Sequence, residues 1–294
     1  MSSTLGLVAS FLAFSVVDGP GSRFVLFLQG CNFDCAACHN PSTINLCDSC
    51  GICIDECPHH ALESVAGVLV FNPGVCDRCN LCVQACPVDA SPIVEYRSVA
   101  EIIAQLRQIA RFVSGITVSG GEPTIQLDFL IDLFGAIKSD PDLSHLTTLV
   151  DTNGTLPISG WERLAPVLDG AMVDLKASSP SLHRRLTGHG NDAVKRSIRW
   201  LSRHDKLAEV RLLVIEGVTD DPKEIRSWAR FVGQVDPSIP VRLMGFRHLG
   251  TRQAAWKWPE TTGETLATTA ELMAEYGLTA VGMPDQRDRA LAST

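Results

Sequence analysis

Eleven cysteines lie between positions 31 and 86, and the chain has no cysteine outside that stretch. Disulfides would be distributed along the chain to crosslink a fold, whereas cysteines clustered in a reduced compartment are typical of metal or redox sites. The clustering therefore predicts metal ligation. It restricts this stretch to folds that the bound metal itself holds together.

Two tandem segments, CDSCGICIDECP and CDRCNLCVQACP, match the bacterial ferredoxin pattern C-x2-C-x2-C-x3-C-P. In that pattern the fourth cysteine of each segment binds the other cluster. Structural zinc is the alternative, but zinc is normally closed by four ligands, so the additional cysteine would be redundant. The spacing predicts one 4Fe-4S cluster on Cys47, Cys50, Cys53 and Cys86, and a second on Cys57, Cys76, Cys79 and Cys82. Full ligation leaves no open iron, so both clusters are expected to carry electrons rather than bind substrate.

These two segments define a predicted ferredoxin-like insert at residues 43–92. A domain of this length buries little core, so the clusters are expected to hold it together. Residues 1–42 and 93–294 would then form one discontinuous host domain.

A third cysteine group lies just before the insert, in GCNFDCAACHNPST at residues 30–43. Cys31, Cys35 and Cys38 have the spacing C-x3-C-x2-C. A cubane cluster has four irons that each need a ligand, so three cysteines leave one corner open. An open coordination position indicates that the metal takes part in chemistry.

Outside the insert, strand-like runs alternate with helical patterns. Residues 98–113 show apolar residues at helical spacing, and Ser98 with Glu101 predicts a capping box at the start of that helix. The predicted strands are FVLFLQG (24–30), GITVSGG (115–121), LTTLVDTNG (146–154), AMVDLK (171–176), AEVRLLVI (208–215) and VRLMGF (241–246). The alternation predicts an α/β fold with a parallel sheet, either open or closed into a barrel.

Polar residues recur at or near the ends of these strands: Glu122, Asp151, Asn153, Asp174, Lys176 and Arg211. Each of them alone could be a turn residue or a solvated charge. Together they predict a functional site, because the carboxyl ends of parallel strands carry the site in α/β folds.

The bulk composition excludes few classes of protein. With 294 residues, 45% of them hydrophobic, the chain can bury a large core, and a net charge of -8 gives no reason to expect a nucleic-acid face. Residues 5–17, LGLVASFLAFSVV, lack a basic leader and are too short to cross a membrane. They predict a buried strand rather than a signal peptide, and a cytoplasmic protein without membrane contact is expected.

The cysteine trio, followed by SGGEP at residues 119–123, resembles the radical S-adenosylmethionine enzymes. More narrowly, VDGPGSRFVLFLQGC with CHNP, DTNG and DLK is similar to the activating enzymes of glycyl radical enzymes, such as pyruvate formate-lyase activase. The resemblance extends over roughly residues 7–42 and 93–250, and many of these activases carry a two-cluster ferredoxin insert. It implies a partial (β/α)6 TIM-type barrel that the insert interrupts.

The resemblance also implies what fills the open corner. In that family S-adenosylmethionine chelates the fourth iron through its amino and carboxylate groups. The amino group would lie against Gly120, Gly121 and Glu122. A monovalent cation beside the carboxylate would be bound by Asp151, Thr152, the carbonyl of Met172 and Asp174, while Lys176 and Arg211 neutralise or orient that carboxylate.

Two positions depart from the family pattern. Ala37 stands where an aromatic residue usually precedes the third cysteine, so the adenine base must rely on other contacts. Arg247 stands where a histidine is common, and His248 follows it. A histidine at a strand end is more often a satisfied polar residue than a catalytic one.

The implied activity is reductive cleavage of S-adenosylmethionine to methionine and a 5'-deoxyadenosyl radical, which takes hydrogen from a glycine of a partner enzyme. The family further implies flavodoxin or ferredoxin as electron donor and Asp18 near the incoming glycine loop, and a monomer fits a barrel that opens sideways to its partner. By turn chemistry alone, Asp18 would only introduce the turn at Gly19 and Pro20. Two alternatives stay open: a radical S-adenosylmethionine enzyme acting on a small molecule or peptide, and an iron-sulfur protein that only transfers electrons.

Overall fold

The computed structural model describes residues 4–278 and 281–282 of the chain, which divide into two compact units. Within the described residues, the first unit comprises 4–33, 40–151 and 166–169, and the second comprises 34–39, 152–165, 170–278 and 281–282. None of the described helices combines the length and the apolar character that crossing a membrane requires.

The first unit is a mixed sheet with helices and a cysteine-rich excursion. Its elements are β1 (Leu5–Ser15), β2 (Arg23–Leu28), β3 (Leu62–Val65), β4 (Val68–Phe71), α1 (Leu81–Gln84), β5 (Glu95–Ser98), α2 (Val99–Ile109), β6 (Gly115–Gly120), α3 (Leu127–Ser139) and β7 (Thr147–Thr152). The strand order is β7-β6-β2-β1-β5, in which β2, β6 and β7 are parallel and β1 is antiparallel to both of its neighbours. The cysteine-rich residues leave and rejoin this unit at adjacent points, because Asn45 bridges to Ala90.

The second unit is a parallel sheet flanked by helices. Its elements are α4 (Ile158–Leu164), β8 (Gly170–Asp174), α5 (Pro180–Thr187), α6 (Asp192–Arg203), β9 (Leu207–Val214), α7 (Pro222–Val235), β10 (Val241–Gly245), α8 (Gly263–Ala274) and β11 (Val281–Gly282). The strand order is β11-β10-β9-β8, with parallel pairing between the neighbours. Buried Trp228 on α7 ties the helix layer to this sheet by donating its indole N–H to the Leu175 carbonyl at 3.0 Å.

The predicted strands and the predicted helix are confirmed: the strand ends differ by at most two residues, and the helix ends four residues before the predicted position. The capping box forms as expected: the Ser98 side chain accepts from the Glu101 amide, and the Glu101 carboxylate accepts from the Ser98 amide. Val99, Ile102, Ile103 and Leu106 form the buried face of α2. Local sequence pattern and tertiary burial therefore agree in this element.

The expectation of a buried strand at residues 5–17 is only half right. The residues do form β1, and Val8 is buried where β1 lies between β2 and β5. Beyond Val8 the strand pairs with β2 alone, and the apolar side chains of Leu12 and Phe14 are 46% and 57% exposed. An apolar run indicates a strand, but burial also requires a neighbouring element on each side.

A buried arginine holds the amino ends of the parallel strands together in the first unit. Arg23 is fully buried at the start of β2, and its guanidinium donates to the carbonyls of Ile116 and Thr147 and to the hydroxyls of Thr117 and Thr147. Burial lowers the pKa of Arg23 to about 10, although the negative charge of Asp169 acts to raise it. The guanidinium therefore stays protonated at neutral pH. One side chain thus satisfies acceptors on both β6 and β7.

We expect Arg23→Met to lower the free energy of unfolding by about 2–5 kcal/mol, because two buried carbonyls lose their donor. Anaerobic urea unfolding followed by circular dichroism measures the change. Arg111→Met, at an exposed position, is the matched control and should stay within about 0.5 kcal/mol of the wild type. An Arg23→Met protein as stable as the control would show that the guanidinium contacts contribute nothing net.

Candidate active site

The loop that carries Cys31 follows β2 and is held by main-chain hydrogen bonds. The Gly30 amide donates to the Thr43 carbonyl at 2.8 Å, and the Cys31 amide donates to the Ile44 carbonyl at 2.9 Å. Gly30 has φ 99°, in the left-handed region that favours glycine. The Phe33 amide donates to the Cys31 sulfur at 3.3 Å, so the thiolate form of Cys31 has a donor within its own loop.

The predicted Gly-Gly-Glu segment packs directly against this loop. The Gly121 amide donates to the Leu28 carbonyl at 3.0 Å, and the Glu122 amide donates to the Gly30 carbonyl at 2.8 Å. A Cβ on Gly121 would lie 2.2 Å from the Gly30 oxygen, and one on Gly120 would lie 2.2 Å from the Leu28 oxygen. Only glycine permits this approach, so the structure brings Gly120 and Gly121 together with the Cys31 loop.

The Glu122 carboxylate has a structural contact that the sequence reasoning missed. It is fully buried, and its Oε1 accepts from the Thr124 amide at 3.0 Å and from the Thr124 hydroxyl at 2.5 Å. The carboxylate thereby caps the short 3-10 helix Pro123–Gln126. The signal was available in the sequence, since an acidic residue two positions before threonine at a helix start is typical of capping.

Asp151 and Asp18 lie at different heights along the parallel strands of the first unit. Asp151, on β7, accepts from the Ser119 hydroxyl of the neighbouring β6 at 3.0 Å, beside the carboxyl end that carries Gly120. Asp18 lies in the turn between β1 and β2; its carbonyl accepts from Thr117, and its carboxylate accepts from the Ser15 hydroxyl at 2.5 Å. Thr117 precedes Gly120 by three residues of strand, or about 10 Å. Asp18 thus contacts β6 before its carboxyl end, and its place near an incoming glycine loop stays a prediction.

In the second unit, Cys35 and Cys38 lie on a short segment that is docked on the end of α5. The Ala36 amide donates to the Leu186 carbonyl at 2.8 Å, and the Asp34 amide donates to the Thr187 carbonyl at 3.2 Å. The Cys38 amide donates to the Cys35 carbonyl, which turns the segment back on itself. The backbone thus fixes both cysteines without using their sulfur atoms.

Asp174 and Lys176 form a close ion pair next to these cysteines. The Lys176 ammonium lies 2.6 Å from the Asp174 Oδ2, and both side chains are about one fifth exposed. Burial opposes the charge on Lys176, but Asp174, Cys35 and Cys38 outweigh it, so the pKa of Lys176 is raised. The other oxygen, Asp174 Oδ1, is buried and has no hydrogen-bond partner among the described residues. A buried carboxylate oxygen without a donor is a suitable ligand for a cation.

Arg211 is buried and already engaged by its neighbours on β8 and β9. Its Nε donates to Glu209 at 2.6 Å, and its Nη2 donates to the Met172 sulfur at 3.0 Å. The sequence reasoning missed Glu209, which also accepts from Arg242. The signal was the spacing of Glu209 and Arg211, since alternate residues of a strand share a face. Met172 pairs with Glu209 and Asp174 with Arg211 across the two strands.

The residues Thr152 to Gly154 form a tight turn. The Gly154 amide donates to the Thr152 hydroxyl at 3.0 Å, and the amide and hydroxyl of Thr155 both donate to Asn153 Oδ1. Gly154 has φ 73°, and a Cβ there would lie 2.8 Å from the Val173 side chain. These side-chain bonds hold DTNG in a turn.

An apolar cavity adjoins Ala37 in the second unit. Its lining residues are Cys35, Ala37, Lys176, Leu186, Thr187, Leu213 and Ile215. Ala37 is buried and belongs to the same aliphatic cluster as Leu186, Leu213 and Ile215. His248 packs edge-on against Phe246, a member of the same cluster, with ring centroids 5.7 Å apart. Its Nε2 is 2.8 Å from the Trp258 carbonyl, and its ring stacks on Trp256. These contacts make His248 a satisfied polar residue.

The two cysteine-rich segments are structural copies with an offset of twenty-nine residues. The sulfur atoms of Cys47 and Cys76 each accept from the amide two residues on, at 3.4 and 3.3 Å. Those of Cys57 and Cys86 each accept from the amide four residues on, at 3.2 and 3.3 Å. The left-handed residues also recur in pairs: Ser49 and Arg78, Gly51 and Asn80, His60 and Asp89. Each copy therefore presents its thiols from the same backbone framework.

The buried thiols of Cys53 and Cys82 each have members of their own predicted set among their charged neighbours. Burial, followed by the charges of Cys47, Cys86 and Cys50, raises the pKa of Cys53. Burial, followed by Cys53, Cys57 and Cys76, raises the pKa of Cys82 to about 11. A cavity is bordered by all four cysteines of the second set, Cys57, Cys76, Cys79 and Cys82. The neighbours of Cys53 include the other three members of the first set.

None of the eleven cysteines, all of which the structure describes, forms a disulfide. In the described part of the chain, no group of three or more His, Cys, Asp or Glu side chains is placed to hold a single metal ion. Ligands of a cubane do not converge on one atom, because each sulfur binds its own iron at a separate corner. The cluster interpretation therefore stays a prediction.

Comparison with known proteins identifies the relatives of the chain. Residues 25–229 match the Radical SAM superfamily. The chain is 30% identical to the trans-4-hydroxy-L-proline dehydratase activating enzyme of Clostridioides difficile, over 90% of this chain and 92% of that protein. It is 29% identical to the pyruvate formate-lyase-activating enzyme of Streptococcus mutans, over 87% of this chain and 81% of that protein.

A solved structure supports the same fold. The crystal structure of QueE from Escherichia coli superposes with a TM-score of 0.54 over 95% of this chain and 94% of that chain, at 13% sequence identity. At this identity the likeness concerns the fold alone. It agrees with the mixed α/β architecture and parallel strands described above.

Proposed function

The chain belongs to the radical SAM superfamily and, within it, to the activating enzymes of glycyl radical enzymes, and from this premise we propose that it installs a glycyl radical on a partner enzyme. Membership implies a 4Fe-4S cluster and S-adenosylmethionine. When bound, the reduced cluster supplies the electron that cleaves S-adenosylmethionine to methionine and a 5'-deoxyadenosyl radical, and that radical takes a hydrogen atom from the glycine. The remaining task is to assign the residues that hold and orient these groups.

Cys31, Cys35 and Cys38 would hold the cluster, which leaves the fourth iron for S-adenosylmethionine. One observation carries this assignment: Gly121 and Glu122 bind the backbone of the Cys31 loop with no room for a side chain between them. A segment held this close can present backbone groups to a ligand of the open corner. We assign Gly120, Gly121 and Glu122 to the methionyl amino group, with the Glu122 carboxylate also fixing the segment through Thr124.

The second unit would receive the carboxylate and the base. Lys176, which stays charged beside Asp174, and Arg211 are assigned to the carboxylate. Glu209 holds the Arg211 side chain in place through its bond to Nε. The apolar cavity beside Ala37 provides aliphatic contacts from Leu186, Leu213 and Ile215 for the adenine, in place of the aromatic residue that the family usually has.

A monovalent cation fits the donor set around Asp174. Its Oδ1 is buried without a hydrogen-bond partner among the described residues, so a cation would satisfy it. Asp151, Thr152 and the carbonyl of Met172 complete the proposed ligands, all of them oxygen donors that suit a hard cation. The cation would reduce repulsion between these carboxylates and that of S-adenosylmethionine.

The finer architecture is also part of the proposal. Strands β2 and β6 to β10 correspond to the six strands of a partial (β/α)6 barrel formed by residues 1–42 and 93–294. Residues 43–92 form the ferredoxin-like insert with two further 4Fe-4S clusters, which makes three in all. The partner is a glycyl radical enzyme, as the names of the relatives indicate, and flavodoxin or ferredoxin supplies the electron to a monomeric activase.

The first test is whether the reduced protein cleaves S-adenosylmethionine. We expect the anaerobically reconstituted protein, reduced with dithionite, to form 5'-deoxyadenosine and methionine detectable by mass spectrometry. Cys35→Ala removes one ligand of the open cluster and should abolish formation, whereas Cys79→Ala should not when dithionite is the reductant. Product from Cys35→Ala, or none from the wild type even with a partner present, would contradict the proposal.

The second test concerns Asp174. We expect Asp174→Asn to weaken binding of S-adenosylmethionine about ten- to a hundredfold, because one charge-assisted ligand of the cation is lost. The affinity for S-adenosylmethionine is measured by equilibrium binding to the oxidised protein, with and without added potassium or sodium, so that no turnover occurs. Asp192→Asn, at an exposed carboxylate of the same unit, is the control and should bind normally. Equal affinity of both variants would remove the cation site from the proposal.

The third test concerns the partner and Asp18. Purified pyruvate formate-lyase and trans-4-hydroxy-L-proline dehydratase are the probes, and electron paramagnetic resonance detects a glycine-centred radical on them. With whichever probe responds, we expect Asp18→Ala to lower radical formation while 5'-deoxyadenosine formation persists. Ser15→Ala removes the hydroxyl bonded to Asp18 but keeps its carboxylate, and should be less impaired. Equal loss of radical formation in both variants would indicate that Asp18 acts only as a turn residue.

A further inference from the structure

We propose that the two cysteine sets of the insert have fixed and different positions in an electron path, an inference that rests on the proposed function. The proximal set, Cys47, Cys50, Cys53 and Cys86, would pass the electron directly to the cluster that includes Cys31. The distal set, Cys57, Cys76, Cys79 and Cys82, would reach that cluster only through the proximal set. One electron moves at each step, so the donor is oxidised as the distal cluster is reduced, and no proton is required.

The proximal set is joined to the Cys31 loop by a short series of bonds. The Cys31 amide donates to the Ile44 carbonyl at 2.9 Å, and Cys47 follows Ile44 by three residues. Three residues span at most about 11 Å even when fully extended. Cys47 is therefore confined to the neighbourhood of Cys31 by the chain itself.

A second connection brings Cys86 to the same place. Its sulfur accepts from the Ala90 amide at 3.3 Å, and Ala90 bridges to Asn45, the residue after Ile44. The side chain of Gln29, two residues before Cys31, donates to the carbonyl of Asn45 at 2.6 Å. Both ends of the proximal set thus converge on the segment that pairs with the Cys31 loop.

The equivalent residues of the distal set lead elsewhere. Ala61 is the copy of Ala90, and its amide donates to the Cys57 sulfur at 3.2 Å. Its carbonyl accepts from Asn72, and the chain continues into the β3–β4 hairpin. Arg78, inside the distal set, pairs with Glu95 on β5 at 3.7 Å, and β1 separates β5 from β2 in the sheet. These contacts of the distal set lead to the hairpin and to β5 rather than to the Cys31 loop.

Solvent exposure of the cysteines does not distinguish the two sets. The order of the sets in the electron path is therefore inferred from which set lies beside the Cys31 loop. Cys50 and Cys79 are both exposed, and each has exposed apolar neighbours at matching positions, Ile52 and Leu81. Electron tunnelling slows steeply with distance, which favours transfer to the Cys31 cluster from the set that the backbone holds beside it. The internal repeat also supplies matched variants, one in each set.

The test measures distance through magnetic relaxation rather than turnover. In the fully reduced protein, a paramagnetic cluster near the Cys31 cluster accelerates its electron-spin relaxation. We expect Cys50→Ala, which disrupts the proximal cluster, to abolish this acceleration in pulsed electron paramagnetic resonance. Cys79→Ala should retain it. Iron analysis and circular dichroism establish that each variant lost one cluster and kept its fold.

Variants that keep every cysteine provide a second measurement if those proteins fail to fold. Asp48 and Asp77 are equivalent residues whose carboxylates accept from the amides of Cys50 and Cys79, each at 3.1 Å. Removing a negative charge raises the reduction potential of the adjacent cluster. During a redox titration, Asp48→Asn should shift the onset of the relaxation effect to a higher potential, and Asp77→Asn should leave it unchanged.

The reverse pattern, equal effects of both variants, or no relaxation effect in the wild type would overturn the proposed order. These outcomes are distinguishable from failure of the proposed function. A Cys35-dependent signal without 5'-deoxyadenosine would contradict the function alone. Absence of any Cys35-dependent signal in the loaded, reduced protein would overturn both.

Discussion

The main-chain bonds between the Cys31 loop and its two neighbouring segments are the constraint on which the candidate site depends. The loop has no regular secondary structure, yet Thr43 and Ile44 hold it from one side and Gly121 and Glu122 hold it from the other. Because Gly120 and Gly121 approach backbone atoms directly, no side chain can adjust the distance. The position of Cys31 is thus set by the sheet itself, since β2 and β6 end at these residues.

The second unit, described by itself, contains a group of paired charges on its sheet. Alternate residues of β8 and β9 place Met172, Asp174, Glu209 and Arg211 on one face of the sheet. Glu209 holds both Arg211 and Arg242, so it spreads one negative charge over two guanidinium groups. Lys176 and Asp174 form a one-to-one ion pair. Such paired charges keep polar groups buried near a ligand without leaving an isolated charge in the interior.

Much of this was predictable from residue patterns. Helical spacing and a capping box located α2, apolar runs located the strands, and the repeated cysteine pattern predicted which thiols are neighbours. What the patterns did not reveal depended on tertiary context. The exposed half of β1 lacks a second neighbouring strand, which its composition does not reveal. The partners of Glu122 and Arg211, and the level at which Asp18 lies, follow from how strands align, and no local pattern records that alignment.

The bridge between Asn45 and Ala90 also bears on how a chain like this one can change over time. Because the cysteine-rich stretch departs and returns at paired residues, its two ends stay together whatever lies between them. Loop closure depends only weakly on the length of the connecting segment, so a host fold tolerates insertions at such a point. A module at this point can therefore be gained, exchanged or deleted in a single genetic event, while the strands that hold the Cys31 loop keep their register.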